Sequence, residues 1–234
     1  MKNFLLIVTA VLIITGCAGT QVRETIPPSA TGDLPQAAVP SETALPNAAA
    51  QTEHTTVVPE TVPMIPIFPE SFGYIMGTGL VPQEKLAAFL QQINIWIDND
   101  FISSLSLYYI EEAAAEGVNH DTAFAQMCVE TGFLRFGGLV TPDMNNFCGL
   151  GAIGPEQPGL FFPDPRTGVR AHIQHLKAYA SDEPLNLELV DPRFRYVKRG
   201  SSPTINGLAG TWAADREYDI KVGGILERLY EFSF

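Results

Sequence analysis

The chain has 234 residues, of which 46% are hydrophobic, and its formal net charge at pH 7 is −12. So large an excess of acidic residues argues against a nucleic acid as partner, because phosphate backbones are bound by clustered basic side chains. The sequence also lacks a CxxC pair and a P-loop pattern, and it has no internal repeat.

The first seventeen residues, MKNFLLIVTAVLIITGC, combine Lys2 with an apolar run that ends just before Cys17. The run is too short to span a bilayer comfortably and lies at the N-terminus, which indicates a signal peptide. The small residues before Cys17 resemble a bacterial lipobox, which implies cleavage before Cys17 and lipidation of its thiol. The alternative is an ordinary secretory signal with an incidental cysteine. Lipidation predicts a protein of the cell envelope, anchored to a bacterial membrane on its extracytoplasmic side.

Half of the 18 prolines lie between residues 18 and 70, where large apolar side chains are scarce. Such a segment cannot bury enough surface to offset the entropy cost of ordering. We therefore predict a signal peptide over residues 1–16, a lipidated cysteine with a disordered linker over 17–70, and one folded domain over 71–234.

Apolar residues at helical spacing dominate the predicted domain, and strand-like alternation is nearly absent. Pro82 suits the start of a helix, and Gly117 and Gly132 suit the ends of two others. Asn119 offers a cap between those two. The domain is therefore predicted to be mainly α, with loops over 135–165 and 181–202. The predicted helices cover residues 82–93, 103–116, 119–130, 167–180, 204–214 and 216–231.

Glu130 stands among apolar and small residues in the stretch CVETGFLRFGG, residues 128–138. It falls in the last turn of a predicted helix, where the negative end of the helix dipole disfavours a carboxylate. Burial by apolar neighbours would disfavour the charge further, and both effects raise the pKa of a carboxyl group. An acid that keeps its proton near neutrality is suited to protonating a glycosidic oxygen. An ordinary solvated glutamate is the alternative.

Five blocks follow one another along the domain: AFAQMCVETGFLRFGG (123–138), NNFCGLGA (145–152), GVRAHIQHLKAYA (168–180), DPRF (191–194) and LAGTWAADREYDIKVGGIL (208–226). Together they resemble the bacterial glucosaminidase family, glycoside hydrolase family 73, whose members cleave peptidoglycan. The resemblance implies a lysozyme-like domain with a substrate groove. It further implies an endo-β-N-acetylglucosaminidase that cuts the β-1,4 bond between N-acetylglucosamine and N-acetylmuramic acid, with Glu130 as general acid and no cofactor or metal.

The resemblance also makes Tyr218 a second candidate catalytic residue, whose hydroxyl would bond a substrate acetamido group or the attacking water. Gln126 lies one helical turn before Glu130 and shares its face. The candidate substrate-binding residues are Asn145, Asn146, Phe147, Trp212 and Gln126. The alternative role of the two asparagines is to form a turn, and that of the aromatic residues is to pack in the core.

A second carboxylate, which most glycosidases use, has no clear candidate. Asp143, Glu156 and Asp164 follow Glu130 without matching a catalytic block, and assistance by the substrate's acetamido oxygen would remove the need for one. His172 and His175 are three residues apart, but no third metal ligand is patterned nearby, which favours a structural or hydrogen-bonding role.

Three further questions stay open from the sequence. Cys128 and Cys148 could form a disulfide or remain two buried thiols. The basic run RFRYVKRG (193–200) could contact substrate carboxylates or form a solvated loop. A lytic transglycosylase and a non-catalytic wall-binding lipoprotein are the alternative functions. The expected partners are peptidoglycan glycan strands and a membrane, with the protein as a monomer.

Overall fold

The computed structural model describes residues 68–234, and this part of the chain is mainly helical, as predicted. Within it the only β structure is a set of isolated bridges. The predicted signal peptide, Cys17 and all but the last three residues of the predicted linker lie outside the described residues. No helix between 68 and 234 is long and apolar enough to cross a membrane. The α-helices are α1 (Gln83–Ile93), α2 (Asn99–Glu116), α3 (His120–Thr131), α4 (Pro165–Ala180) and α5 (Tyr218–Ser233).

Helix α3 is the centre of the domain and packs against α2, α4 and α5. Asn119 caps its start, since the side-chain oxygen accepts the N–H of Asp121 at 2.9 Å. Gly132 ends it with the left-handed φ of 57° that glycine adopts without strain. Apolar and polar residues alike are buried along α3, so its polar side chains must find partners inside the protein.

Helix α2 begins at Asn99, four residues before the predicted start, because the Asp98 side chain accepts the N–H of Phe101 at 2.8 Å and caps the helix. The predicted helix over 204–214 is wrong. The structure has a short 3-10 helix, Ile205–Leu208, and then a tight turn in which the N–H groups of Thr211 and Trp212 both donate to the Leu208 carbonyl. Gly210 has a φ of 79°, which breaks helical geometry.

The segment 181–202, which we call the strap, is irregular as predicted except for a 3-10 turn at Phe194–Tyr196, and it is held by buried side chains. The Glu116 carboxylate accepts the N–H groups of Asn186 and Leu187 at 2.9 and 3.0 Å. The Gln174 amide oxygen accepts those of Val190 and Asp191 at 2.9 and 3.2 Å. These bonds supply the partners that a loop without regular structure otherwise lacks.

Cys128 and Cys148 are both buried and both free thiols. Burial raises the pKa of each thiol above its ordinary value. The structure therefore has two protonated core cysteines in place of the possible disulfide.

Candidate active site

Glu130 lies half-buried at the end of α3, on the wall of a groove. The groove consists of two hollows that share Gly149 and Ala152 in their lining. The Phe136 side contains Glu130 and is closed by residues that follow it in the chain. The Trp212 side is closed by α4, the strap and the turn before α5. Lining residues of the Phe136 side include Thr131, Phe136, Leu139, Val140 and Asn146.

One oxygen of the Glu130 carboxyl group is fully occupied. The Trp212 indole N–H donates to Oε1 at 2.9 Å, and the Tyr218 hydroxyl donates to the same atom. A carboxyl oxygen has two lone pairs, so an acidic proton must reside on the other oxygen, Oε2. That oxygen faces Gly149, where an added Cβ atom would lie 3.6 Å from it. The proton-bearing oxygen is therefore on the groove side of the carboxyl group.

Burial is the largest influence on the Glu130 carboxyl group and raises its pKa above the ordinary glutamate value. The hydrogen bonds from Tyr218 and Trp212 act in the opposite direction, because they stabilise the anion, but the net direction is upward. The carboxyl group consequently keeps its proton to a higher pH than a solvated glutamate does.

Tyr218, the first residue of α5, belongs to a buried series of hydrogen bonds that we call the polar network: Tyr109, His172, Gln126 and Tyr218. The Gln126 amide N–H donates to the Tyr218 oxygen at 2.8 Å. The Gln126 amide oxygen lies 2.9 Å from His172 Nε2, and His172 Nδ1 lies 2.9 Å from the Tyr109 hydroxyl. Helices α2, α4, α3 and α5 each contribute one member.

The polar network has one consistent direction of donation. Burial lowers the pKa of His172 to about 3, so the ring is neutral and carries one N–H. Because Gln126 presents its oxygen to His172, that N–H is on Nε2 and Nδ1 accepts from Tyr109. Every donor thus points towards Glu130, and the Tyr218 hydrogen is committed to Glu130.

The chain makes a sharp turn immediately after Glu130. Phe133, Leu134 and Phe136 all have left-handed φ values, of 58°, 59° and 56°. Such a conformation costs non-glycine residues roughly 1–2 kcal/mol each. Buried polar contacts hold it: Thr131 Oγ1 accepts the N–H of Leu134 at 2.9 Å, and the Asn94 amide donates to the Phe133 carbonyl at 2.8 Å. The turn brings Phe136 to the groove.

Two of the candidate substrate-binding residues, Gln126 and Phe147, line neither hollow of the groove. Gln126 is 0% exposed, and both ends of its amide are used by Tyr218 and His172. Phe147 is 1% exposed and packs in the core. Their predicted contacts with sugar are corrected to core roles, because neither side chain reaches the groove.

The two asparagines shape the loop beyond Glu130. Asn145 has a φ of 50° and donates to the Phe162 carbonyl at 3.0 Å. Asn146 is 1% exposed, and its amide bonds the Leu150 N–H and carbonyl at 3.0 and 2.9 Å. Asn146 still lines the Phe136 side of the groove. Its polar atoms, however, bond to the backbone, which agrees with the alternative that the asparagines form a turn.

Trp212 is the candidate that the structure brings directly to Glu130, together with Tyr218. The indole is half-buried and packs on the rings of His175 and Tyr179, with centroid distances of 5.1 and 5.6 Å. Tyr109 was not among the candidate residues. A tyrosine and a histidine that both fall among the apolar residues of two neighbouring helices would be the signal for such a buried hydrogen bond.

Asp143, Glu156 and Asp164 do not line either hollow of the groove. Asp143 accepts the Thr141 hydroxyl at 2.6 Å, and Asp164 caps α4 by accepting the N–H of Thr167 at 2.9 Å. Glu156 lies in a turn. Between residues 68 and 234 no group of three or more His, Cys, Asp or Glu side chains is arranged to hold a metal ion.

Comparison with known proteins places this geometry in a family. The glucosaminidase family model, described as mannosyl-glycoprotein endo-β-N-acetylglucosaminidase, matches residues 106–231. The chain belongs to the glucosaminidase family. It is also 42% identical over 160 residues to a Borreliella burgdorferi protein described as uncharacterized, a match that covers 68% of this chain and 78% of the relative.

A solved structure is similar over a comparable span. It is S. aureus autolysin E in complex with the muropeptide NAM-L-Ala-D-iGlu, with a TM-score of 0.43 and 12% sequence identity, and the match covers 69% of this chain and 72% of that one. The family match extends from α2 to α5 and so includes Glu130, Trp212 and the whole polar network.

Proposed function

We propose that this glucosaminidase-family protein is a peptidoglycan hydrolase, an endo-β-N-acetylglucosaminidase that cleaves the β-1,4 bond between N-acetylglucosamine and N-acetylmuramic acid. The observation that carries the proposal is the asymmetry of the Glu130 carboxyl group. Trp212 and Tyr218 saturate Oε1, while Oε2 faces the groove. A carboxyl group with a raised pKa and a defined proton-bearing oxygen suits general acid catalysis.

In the proposed first step, Glu130 Oε2 gives its proton to the glycosidic oxygen as the bond from that oxygen to the anomeric carbon breaks. The negative charge that develops on the carboxylate is stabilised by the two donors already bound to Oε1. These donors do not have to move, because the acid and the carboxylate both accept them. In this proposal Tyr218 is a hydrogen-bond donor to Glu130, whereas the sequence had predicted that its hydroxyl contacts the substrate's acetamido group or the attacking water.

The acetamido oxygen of the cleaved N-acetylglucosamine is the nucleophile that we propose for the same step. It bonds to the anomeric carbon as the leaving oxygen departs, and water then opens the resulting ring while the Glu130 carboxylate takes the water's proton. This course needs no second carboxylate, in agreement with the positions of Asp143, Glu156 and Asp164 away from the groove. It retains the anomeric configuration, which proton NMR of the first products would reveal.

Glu130→Gln tests the proposal. The amide keeps the shape of the side chain and the acceptor for Trp212 and Tyr218, but it has no acidic proton. We expect digestion of purified peptidoglycan to fall at least a thousandfold (about 4 kcal/mol or more of barrier), with an unchanged circular dichroism spectrum. Glu156→Gln, in an exposed turn, is the matched control and should keep full activity.

Mass spectrometry of the released muropeptides checks the reaction itself. Hydrolysis adds one water and leaves N-acetylglucosamine at the new reducing end, whereas a lytic transglycosylase leaves an anhydro-sugar. Anhydro products would replace the proposed reaction by the transglycosylase alternative. Full digestion by the Glu130→Gln variant would remove Glu130 from the mechanism.

We also propose that the protein acts from the membrane, through a lipid on Cys17. In a bacterial host, wild-type protein should fractionate with membranes and incorporate a labelled fatty acid. Cys17→Ser should lose the label and move to the soluble fraction. A Cys17→Ser variant that kept the label would contradict the proposed anchor.

A further inference from the structure

The Trp212 side of the groove carries an arginine that the proposed reaction does not use. Arg193, in the strap, lines this hollow together with His175, Tyr179 and Trp212. Trp212 donates to Glu130, so the hollow is directly beside the proposed acid. Its size is about 220 Å³, which is room for several water molecules at about 30 Å³ each and hence for a small charged substituent.

Arg193 has no carboxylate partner among the described residues. Arg166, Arg170, Lys177 and Lys221 each pair with an acidic side chain, whereas none of the basic side chains of the strap forms an ion pair with a described residue. Of those strap side chains, only Arg193 lines the hollow. The guanidinium of Arg193 lies over the Tyr196 ring instead, 5.6 Å from its centroid. It is also close enough to Tyr179 to oppose the burial that raises the pKa of that phenol.

The backbone beneath Arg193 is held firmly. Its N–H donates to Asp191 Oδ1 at 2.8 Å, and the other oxygen of that carboxylate lies 2.7 Å from His175 Nδ1. Asp191 is buried, and its own N–H donates to Gln174. An arginine whose backbone is fixed in this way loses less entropy when it binds an anion than one on a mobile loop does.

From this placement we propose that Arg193 forms a carboxylate-binding subsite on the Trp212 side of the groove. The inference rests on the proposed function and names the substrate class: a glycan that carries a carboxylate, either the lactyl group of N-acetylmuramic acid or a stem-peptide acid. A guanidinium binds a carboxylate through two parallel hydrogen bonds. Such a subsite would distinguish cell-wall glycans from neutral polymers of N-acetylglucosamine.

The test compares three glycans: peptide-free strands with free lactyl carboxylates, the same strands after conversion of those carboxylates to methyl amides, and strands with stem peptides attached. Arg193→Gln should raise KM about tenfold on carboxylate-bearing strands, since a charged hydrogen bond is worth about 1.5–3 kcal/mol and 1.4 kcal/mol corresponds to tenfold. It should leave kcat and the KM for methyl-amide strands unchanged. An effect on peptide-free strands identifies the lactyl group; an effect confined to peptide-bearing strands identifies a peptide carboxylate.

Lys198→Gln is the matched control, because Lys198 is exposed in the same strap and lines neither hollow. This substitution changes the net charge by the same amount as Arg193→Gln. Calorimetric binding of the same strands to the Glu130→Gln protein, with and without Arg193→Gln, separates the subsite from catalysis. If no glycan is cleaved, the proposed function fails, yet a tenfold weaker binding would still support the subsite. Equal effects of Arg193→Gln on charged and methyl-amide strands, or no effect on either, would overturn it.

Discussion

Tyr218 illustrates how one hydroxyl group is committed by its neighbours. A phenol has one hydrogen to donate, and here that hydrogen goes to Glu130 while Gln126 donates to the phenol oxygen. Burial and the adjacent Glu130 carboxyl group both raise the pKa of Tyr218. The phenol therefore stays protonated at neutral pH and serves as a donor to the acid, with no capacity to act as a base.

Tyr218→Phe should reduce turnover substantially but incompletely, by roughly ten- to a hundredfold, because a hydrogen bond to a charged group is worth about 1.5–3 kcal/mol. The Tyr218 hydrogen bond lowers the pKa of Glu130. Its loss should raise that pKa, and the alkaline limb of the kcat profile should move to higher pH. An unchanged rate, or a limb that stays in place, would reduce Tyr218 to a packing role.

Glu130 itself should have a measurable effect on stability. A carboxyl group whose pKa is raised in the folded state contributes stability that is complete below the unfolded pKa and is lost as pH rises through the folded pKa. Glu130→Gln has no such titration. The melting temperature of the variant, relative to that of the wild type, should therefore rise between pH 4 and pH 8. A variant that is relatively less stable at pH 8 would contradict the proposed burial effect.

The helices matter because the polar network takes one side chain from each of four of them. Tyr109 of α2 is the member farthest from Glu130 along the network, and its hydroxyl donates to His172 Nδ1, which fits the tautomer with the hydrogen on Nε2. That tautomer in turn keeps the Gln126 oxygen satisfied and its N–H directed at Tyr218. The packing of α2 against α4 is thus linked to the orientation of the proposed acid.

Tyr109→Phe should lower the free energy of unfolding by about 1 kcal/mol, the usual value of one net hydrogen bond. It should also shift the alkaline limb of the kcat profile in the same direction as Tyr218→Phe, but by less. Tyr108→Phe is the control, because this half-buried hydroxyl makes no hydrogen bond to a described residue and its ring packs on Arg166. If the two variants had the same pH profile of kcat, the hydrogen bond of Tyr109 in the polar network would have no influence on catalysis.

The sequence predicted helices wherever local signals are strong. Asn119 and Gly132 mark α3 by capping chemistry that depends on neighbouring residues alone. The predicted helix over 204–214 failed because Leu208 accepts several N–H groups in a turn around Gly210, an arrangement that periodicity does not encode. This turn places the Trp212 indole within hydrogen-bond distance of Glu130.

The candidate site residues also fall into those that the sequence could predict and those that it could not. Glu130 and Tyr218 became candidates through the resemblance to a family, with the carboxylate in apolar surroundings as a second reason for Glu130, and the structure brings the two side chains into contact. Gln126 and Phe147 were placed at the substrate because a shared helix face or an aromatic ring does not reveal which side is covered. Tyr109 depends on a contact between α2 and α4 that only the tertiary structure brings together. The sequence offered the whole basic run 193–200 as a possible contact for substrate carboxylates, and the structure singles out Arg193 within it as the one that lines the hollow.

At the scale of the whole molecule, Glu116 ties α2 to α4 and to the strap. It pairs with buried Lys177 at 2.9 Å and accepts two N–H groups of the strap. Burial alone would raise the pKa of Glu116, but the bonds from Asn186, Lys177 and Leu187 together lower it below its ordinary value of 4.5. The ionised form is therefore part of the folded state.

A carboxyl group with a lowered folded pKa contributes stability that is present above its unfolded pKa and is lost as pH falls through the folded pKa. Wild-type protein should therefore lose stability below about pH 4.5. Glu116→Gln should cost about 3–5 kcal/mol at pH 7, because Lys177 is left as an uncompensated buried charge. The difference from wild type should narrow towards pH 3, where the wild-type carboxylate is also being neutralised.

Urea unfolding at pH 7 and pH 3 measures this difference, with Glu111→Gln as control, since Glu111 pairs with Arg166 at the surface and such pairs contribute about 0–1 kcal/mol. If Glu116→Gln lowered the free energy of unfolding equally at both pH values, the ionised Glu116 carboxylate would not be what stabilises the fold. Because the strap carries Arg193, partial acid unfolding should also weaken the binding of carboxylate-bearing strands before α3 and Glu130 are lost. The acid limit of substrate binding would then be set by Glu116, and the alkaline limit of turnover by Glu130.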